Sequence, residues 1–255
     1  MATLGAVQAD TALNILRARI TRLEGRPSLA HAHVLRFGVD AIDGYLPGGG
    51  LLAGALHEVA GEGTDIEHGA AGALLLAGLL ARQRGPVLWA TSRADLFAPA
   101  LHGAGLDPGR VVFAEAGSAV LLVMEEALRH PGLAGVVGEV GKMGLTASRR
   151  LQLAAEASGV TAFALRRFRQ ASDPALAEPN AAVTRWRVAA RPSPPPIAHA
   201  PEVPGLARAR WQLDLVRCRG GAPATWTVEA CDAQGRLSLA TDVPNRQAAP
   251  RRATG

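Results

Sequence analysis

Residues 50–84 read GLLAGALHEVAGEGTDIEHGAAGALLLAGLLARQR. A short apolar run at 55–60 leads into a glycine-containing turn, then into an apolar helical stretch that starts near His68. Strand, glycine loop and helix in that order form the layout of a phosphate-binding loop. Such a loop works through G-x-x-x-x-G-K-[ST], in which the lysine meets the β/γ-phosphates and the hydroxyl meets Mg²⁺. Here five residues separate Gly63 from Gly69, and Gly69 is followed by Ala70 and Ala71. Glu62, Asp65 and Glu67 add negative charge at a helix N-terminus that would otherwise favour an anion. Gly61, Gly63, Gly69, Ala70 and Ala71 therefore spell a degenerate phosphate loop, one not expected to turn over ATP.

Of the 27 Lys and Arg residues, only Lys142 is a lysine. It follows Gly138-Glu139-Val140-Gly141, but Val136 stands where the first loop glycine belongs and Met143 where Ser or Thr is required. Arginine is no replacement, because its planar fork makes different phosphate contacts from a compact ammonium. Other chemistries fare no better. His57-Glu58 lacks a second histidine at zincin spacing, and the chain has neither a G-x-S-x-G elbow nor a C-x-x-C pair. His31-Ala32-His33 has no further ligand nearby, so no metal and no cofactor is expected.

The elements that would position this loop follow from hydrophobic period. Near-continuous apolar strands at 86–91, 110–114, 135–140 and 160–165 alternate with helices predicted at 95–104, 119–130 and 148–158. That alternation predicts a mostly parallel sheet covered by helices on both faces. After residue 169 the pattern changes. A strand at 182–189 precedes a loop at 191–205 with six prolines, which no sheet interior accepts. Segments 208–217 and 224–230 alternate around Gly220-Gly221 and predict an antiparallel hairpin. Trp186, Trp211 and Trp226 on these strands suit core or cross-strand packing. At the other end, Leu13, Leu16, Ile20 and Leu23 recur at spacings of 3, 4 and 3, forming one stripe of an amphipathic helix before Gly25 and Pro27. That helix either packs on its own domain or serves as an arm that docks on a partner. The domains expected are an arm at 1–30, an α/β core at 31–235 and a basic flexible tail at 236–255.

With 48% hydrophobic and 19% charged residues, the composition is that of a soluble globular chain. The apolar stretch at 70–81 is too short to cross a membrane, and the N-terminus lacks a secretory pattern, so a cytoplasmic location is expected. The net charge of +5 is uneven, with about −2 over residues 1–159 and about +7 over 160–255. A basic half suggests nucleic acid or an acidic partner. Arg166, Arg167 and Arg169 surround Phe168 just after a strand, where open α/β sheets place ligand sites. They are candidate contacts for single-stranded DNA or a partner, with Arg208 and Arg210 beside them in the count.

The order of these segments resembles the core of the bacterial recombinase RecA, from FGVDAIDGYLPGGGLLAGALHEVAG to the terminal hairpin. More closely, PGGGLLAGALHEVAG, EHGAAGALLLAGLLAR, DLFAPALHGAGLDPGRVVFAEA and RRLQLAAEASGVTAFALRR are similar to ImuA, a RecA-like family of SOS mutagenesis proteins. The resemblance runs from about Leu13 to Cys231. It places Gly61 and Gly69 at the two loop glycines and Ala70 and Ala71 at the lysine and hydroxyl positions. The segment at 91–95 falls where RecA has a catalytic glutamate, with Asp95 explained as a helix cap or first-turn acid. Glu139 falls in the region of the metal-associated acid. The resemblance implies a RecA-like fold with an N-terminal helical arm and a non-enzymatic accessory role in translesion synthesis. The implied partners are an ImuB-type relative of Y-family polymerases and, through the complex, an error-prone replicative-type polymerase. Self-association also fits. Two other functions stay open: a cell-division inhibitor like the related SulA proteins, and a RecA-like DNA-dependent ATPase.

Overall fold

The computed structural model describes residues 33–168, 178–197, 200 and 202–240. The helical stripe Leu13, Leu16, Ile20 and Leu23, Arg169 and the tail beyond residue 240 lie outside them. The chain enters through a two-stranded antiparallel pair, β1 (Val34–Leu35) with β2 (Leu51–Leu52), that brackets the single-turn α1 (Asp40–Asp43). The Asp43 carboxylate accepts the amides of Phe37 and Gly38 at 2.7 and 2.8 Å, which closes this turn.

The main sheet has nine strands in the order β11-β10-β9-β8-β3-β7-β6-β4-β5. β3 (Leu56–Gly61), β4 (Val87–Thr91), β5 (Val111–Glu115), β6 (Gly135–Val140), β7 (Ala162–Arg166) and β8 (Thr184–Arg191) run parallel. β9 (Arg210–Cys218), β10 (Ala224–Glu229) and β11 (Ser238–Leu239) extend the sheet antiparallel. Every residue of β3, β6 and β7 is buried, so these strands read as mostly apolar runs interrupted by His57, Glu58, Glu139 and Arg166.

Two helical layers account for that burial. α2 (Asp65–Ala81) and α3 (Ala98–Gly103) pack with Phe163, Leu165, Trp186 and Trp211 on one face. α4 (Val120–Ala127) and α5 (Leu145–Ser158) cover Leu56, Val136, Ala162 and Ala164 on the other. α5 ends at Gly159, whose φ of +77° supplies the left-handed turn needed before β7. The tryptophans pack as anticipated, with Trp186 between Phe37 at 5.0 Å and Trp226 at 6.0 Å. His57 is fully buried between Thr184 Oγ1 and the Leu52 carbonyl. Burial pushes its pKa down to about 4 against the opposing backbone bond, so it is a neutral core histidine.

The fold corrects several boundaries. α2 begins at Asp65, a full turn before His68, because Thr64 takes the extended N-cap conformation and Asp65 and Glu67 suit the positive end of the helix. α3 begins only at Ala98, since Pro99 favours a first-turn position, and this leaves Asp95 in the preceding loop. β11 pairs with β10 and carries the sheet past residue 235.

β6 runs so close beneath α4 that a Cβ on Gly138 would lie 2.1 Å from Met124 Sδ. Gly138→Ala should cost about 1–3 kcal/mol through overpacking. In urea unfolding, pairing it with Met124→Ala should cost less than the sum of the two single changes. Simple additivity would show that the two sites do not share that contact.

Candidate functional site

The connection from β3 to α2 is only Glu62-Gly63-Thr64. It is stitched down on both sides. The Asp65 amide, at the helix start, donates to the Phe168 carbonyl at 2.9 Å, and the Glu62 amide donates to the Val188 carbonyl at 3.2 Å. The Glu67 and His68 amides both turn back to the Thr64 carbonyl at 3.1 Å. An anion site at a helix N-terminus needs amides aimed outward. Here the Asp65 donor is taken by the Phe168 carbonyl and the Glu67 donor by the Thr64 carbonyl, while the His68 bond is the ordinary first bond of the helix. Gly69, Ala70 and Ala71 lie in the second turn of α2, and Gly69 is pressed by Asp65, whose Oδ1 would be 2.4 Å from an added Cβ.

Beside this closed loop sits the principal cluster of the molecule. Arg167, immediately after β7, ion-pairs with three carboxylates from three different elements. Its Nε donates to Asp65 at the start of α2, its Nη1 to Glu139 Oε2 in β6 at 2.5 Å, and its Nη2 to Asp95 Oδ2 after β4 at 3.1 Å. Glu139 is 1% exposed, and its other oxygen accepts the Trp89 indole N–H at 3.0 Å. Burial raises the Glu139 pKa, while the Trp89 bond and the Arg167 charge pull it back. Burial also opposes the charge on Arg167. The Asp65 hydrogen bond and the charges of Glu139, Asp65 and Asp95 outweigh that opposition and raise its pKa. The cluster borders a cleft of about 440 Å³ that Ile66, Arg93 and Phe168 also line.

Asp95 is therefore an arginine ligand rather than a helix cap, and Glu139 has a partner that the sequence did not reveal. The residues do not fit a nucleotide's phosphates. The loop is three residues long, Gly69 is followed by Ala70 and Ala71 inside the helix, and the Arg167 guanidinium lies between the acids. Among the described residues no group of three or more His, Cys, Asp or Glu is arranged to hold a metal ion. Nor is any helix long and apolar enough to cross a membrane.

The candidate contact arginines are placed differently from the sequence reading. Arg166 is buried, at 1% exposed. It lies 3.5 Å from Glu58 Oε2 and 5.2 Å over the Phe168 ring. Glu58 is shared with Arg185 at 2.9 Å and Asn180 at 2.5 Å, so β3, β7 and β8 are cross-linked by one buried carboxylate. Arg167 is held as described. Arg208 reaches Glu229, Ser238 and the Arg236 carbonyl within the C-terminal strands. Arg210 pairs in register with Arg191 on β8 and Glu229 on β10. It shares the sheet edge of Arg166 but is separated from it by β8 and β3. Glu62, read as a repulsive acid, instead meets Arg191 at 2.8 and 3.1 Å, and that bond lowers its pKa. What sequence reasoning missed is that the acids and arginines at the strand ends are one another's partners. The available signal was that Asp65, Asp95 and Arg167 each follow a strand.

This sheet order, with two helical layers and antiparallel terminal strands, defines a RecA-like α/β protein. It is similar to the crystal structure of the RadB recombinase, with a TM-score of 0.57 at 15% identity over 82% of this chain and 100% of that one. No protein-family model matches the chain. It is 43% identical over 210 residues to Protein ImuA of Caulobacter vibrioides in strains NA1000 and ATCC 19089, covering 78% of this chain and 84% of each relative. The chain belongs to the ImuA family.

Arg167→Met should destabilise the protein by about 3 kcal/mol at neutral pH, because it leaves Glu139 buried without its counter-ion. The native pKa of Glu139 would then rise further above its unfolded value. A group shifted that way favours the native state at low pH and loses the benefit as pH rises. Urea unfolding at pH 7 and pH 5 should therefore show the penalty shrinking at the lower pH. An equal penalty at both would place the effect elsewhere.

Proposed function

We propose that this chain is a non-catalytic adaptor of bacterial SOS-induced translesion DNA synthesis, acting from the cytoplasm. In this reading it holds an ImuB-type relative of Y-family polymerases and, through that complex, an error-prone replicative-type polymerase. The observation that carries the proposal is the Arg167 cluster: the end of the sheet where a RecA-like enzyme meets phosphates is closed by the protein's own guanidinium and carbonyls. Membership of the ImuA family supplies the setting. A fold retained without its chemistry keeps value as a rigid set of surfaces. Single-stranded DNA enters only as a secondary contact, since Arg166, Arg167 and Arg208 are engaged internally. The rival readings, a SulA-like inhibitor and a DNA-dependent ATPase, have no comparable observation in their favour.

Two measurements on the full chain test this. ATP, with or without single-stranded DNA, should give neither turnover nor a rise in melting temperature. A nucleotide at 100 times its Kd would add about 2.7 kcal/mol and shift the midpoint by several degrees. Co-purification from DNA-damaged cells should recover both a Y-family relative and a replicative-type polymerase. Sustained hydrolysis that is lost on altering Gly61 or Gly63 would overturn the reading. So would filamentation on overexpression without DNA damage and without either polymerase bound.

A further inference from the structure

α4 and α5 lie side by side on the second face of the sheet, and a groove of about 640 Å³ runs between them. Its apolar surface comes from Leu128 and Pro131 after α4 and from Leu153, Ala154 and Ala157 in and near the last turns of α5. The Arg150–Glu125 ion pair, at 2.7 Å, bridges the two helices. Leu153 is 64% exposed in the second half of a helix that otherwise buries its leucine at 151. A groove between two helices with an apolar floor and a charged rim, to which Glu125, Arg129 and Arg150 contribute, can accept the apolar face of a further helix.

Three observations identify the occupant. The first is where the described chain begins. The His33 carbonyl accepts the Ala53 amide at 2.8 Å, and the adjoining Gly54 is packed on the end of α5, where an added Cβ would sit 3.1 Å from Gly159 Cα and 3.3 Å from the Ala155 carbonyl. His33, where the described residues begin, therefore lies near the end of α5 that carries Ala157 and Ser158. The second is reach. Ten peptide units separate Leu23 from His33, enough for ~35 Å of extended chain, against ~21 Å for the length of α5. The third is pattern. Leu13, Leu16, Ile20 and Leu23 form a single apolar stripe, with Arg17, Arg19 and Arg22 off it. An isolated helix of this length is marginal in water until that stripe is buried.

We infer that residues 9–23 of this chain fold back into the α4–α5 groove of the same molecule. A tether this short gives the segment a millimolar effective concentration at its own groove, which a second copy at working concentration does not match. The inference concerns the chain's own architecture and does not depend on the adaptor reading.

The test uses the full chain with Ile20→Cys and Leu153→Cys, together with each single change as a control for Cys218 and Cys231. Mild oxidation should give an internally bridged monomer whose yield is unchanged on tenfold dilution. Without a bridge, docking in another register would still slow alkylation of Leu153→Cys about tenfold relative to the same protein carrying Leu16→Asp and Ile20→Asp. A disulfide-linked dimer that fades on dilution would assign the groove to a second copy and overturn the inference. Equal alkylation rates with the stripe intact and broken would show an open groove and overturn it as well.

Discussion

Three carboxylates at the ends of neighbouring elements cannot share one corner of a sheet unless something positive lies between them. In this protein that something is Arg167. Asp65 heads a helix, Asp95 leaves β4 and Glu139 sits inside β6, and a single guanidinium ties all three. The geometry suits arginine in particular, because its planar fork presents several donors in fixed directions where an ammonium offers a point charge. Charge attraction is strongest where water is scarce, and Glu139 is almost wholly enclosed. The same strand end presents the Phe168 carbonyl to the first amide of α2. Two consecutive residues thus bridge the acids of the corner and occupy the leading donor of the helix.

The rest of the sheet edge follows the same logic. Glu58 is surrounded by Arg166, Arg185 and Asn180, and Glu62 by Arg191, so arginines from β7 and β8 hold β3 in place on both sides of its end. Buried ion pairs of this kind fix geometry more than they add stability, since desolvation offsets much of the attraction. Four of the 14 arginines in residues 160–255, namely Arg166, Arg167, Arg185 and Arg191, meet acids from the first half of the chain. A RecA-like arrangement is thereby held together at this corner by the chain's own groups.

The order of elements was legible because it depends on local rules. Short, near-continuous apolar runs at 86–91 and 135–140 read as strands covered on both faces, and alternation around Gly220-Gly221 read as a hairpin. Helix starts were less legible. Thr64 and Asp65 opened α2 a turn early because the cap is set by backbone conformation and dipole, not by where the apolar period begins. Pro99 delayed α3 for the same kind of reason.

By itself, the sequence determined the fold class and the absence of a G-x-x-x-x-G-K-[ST] pattern between β3 and α2. Residue type and spacing suffice for both. Only the tertiary structure decided which groups meet at the end of that strand. Asp65, Asp95, Glu139 and Arg167 span 103 residues of chain, and nothing in their spacing pairs them. They meet because the strand order β3-β7-β6-β4 brings four distant chain segments to one edge. That order arises from crossover connections and packing between layers, which a linear reading does not contain.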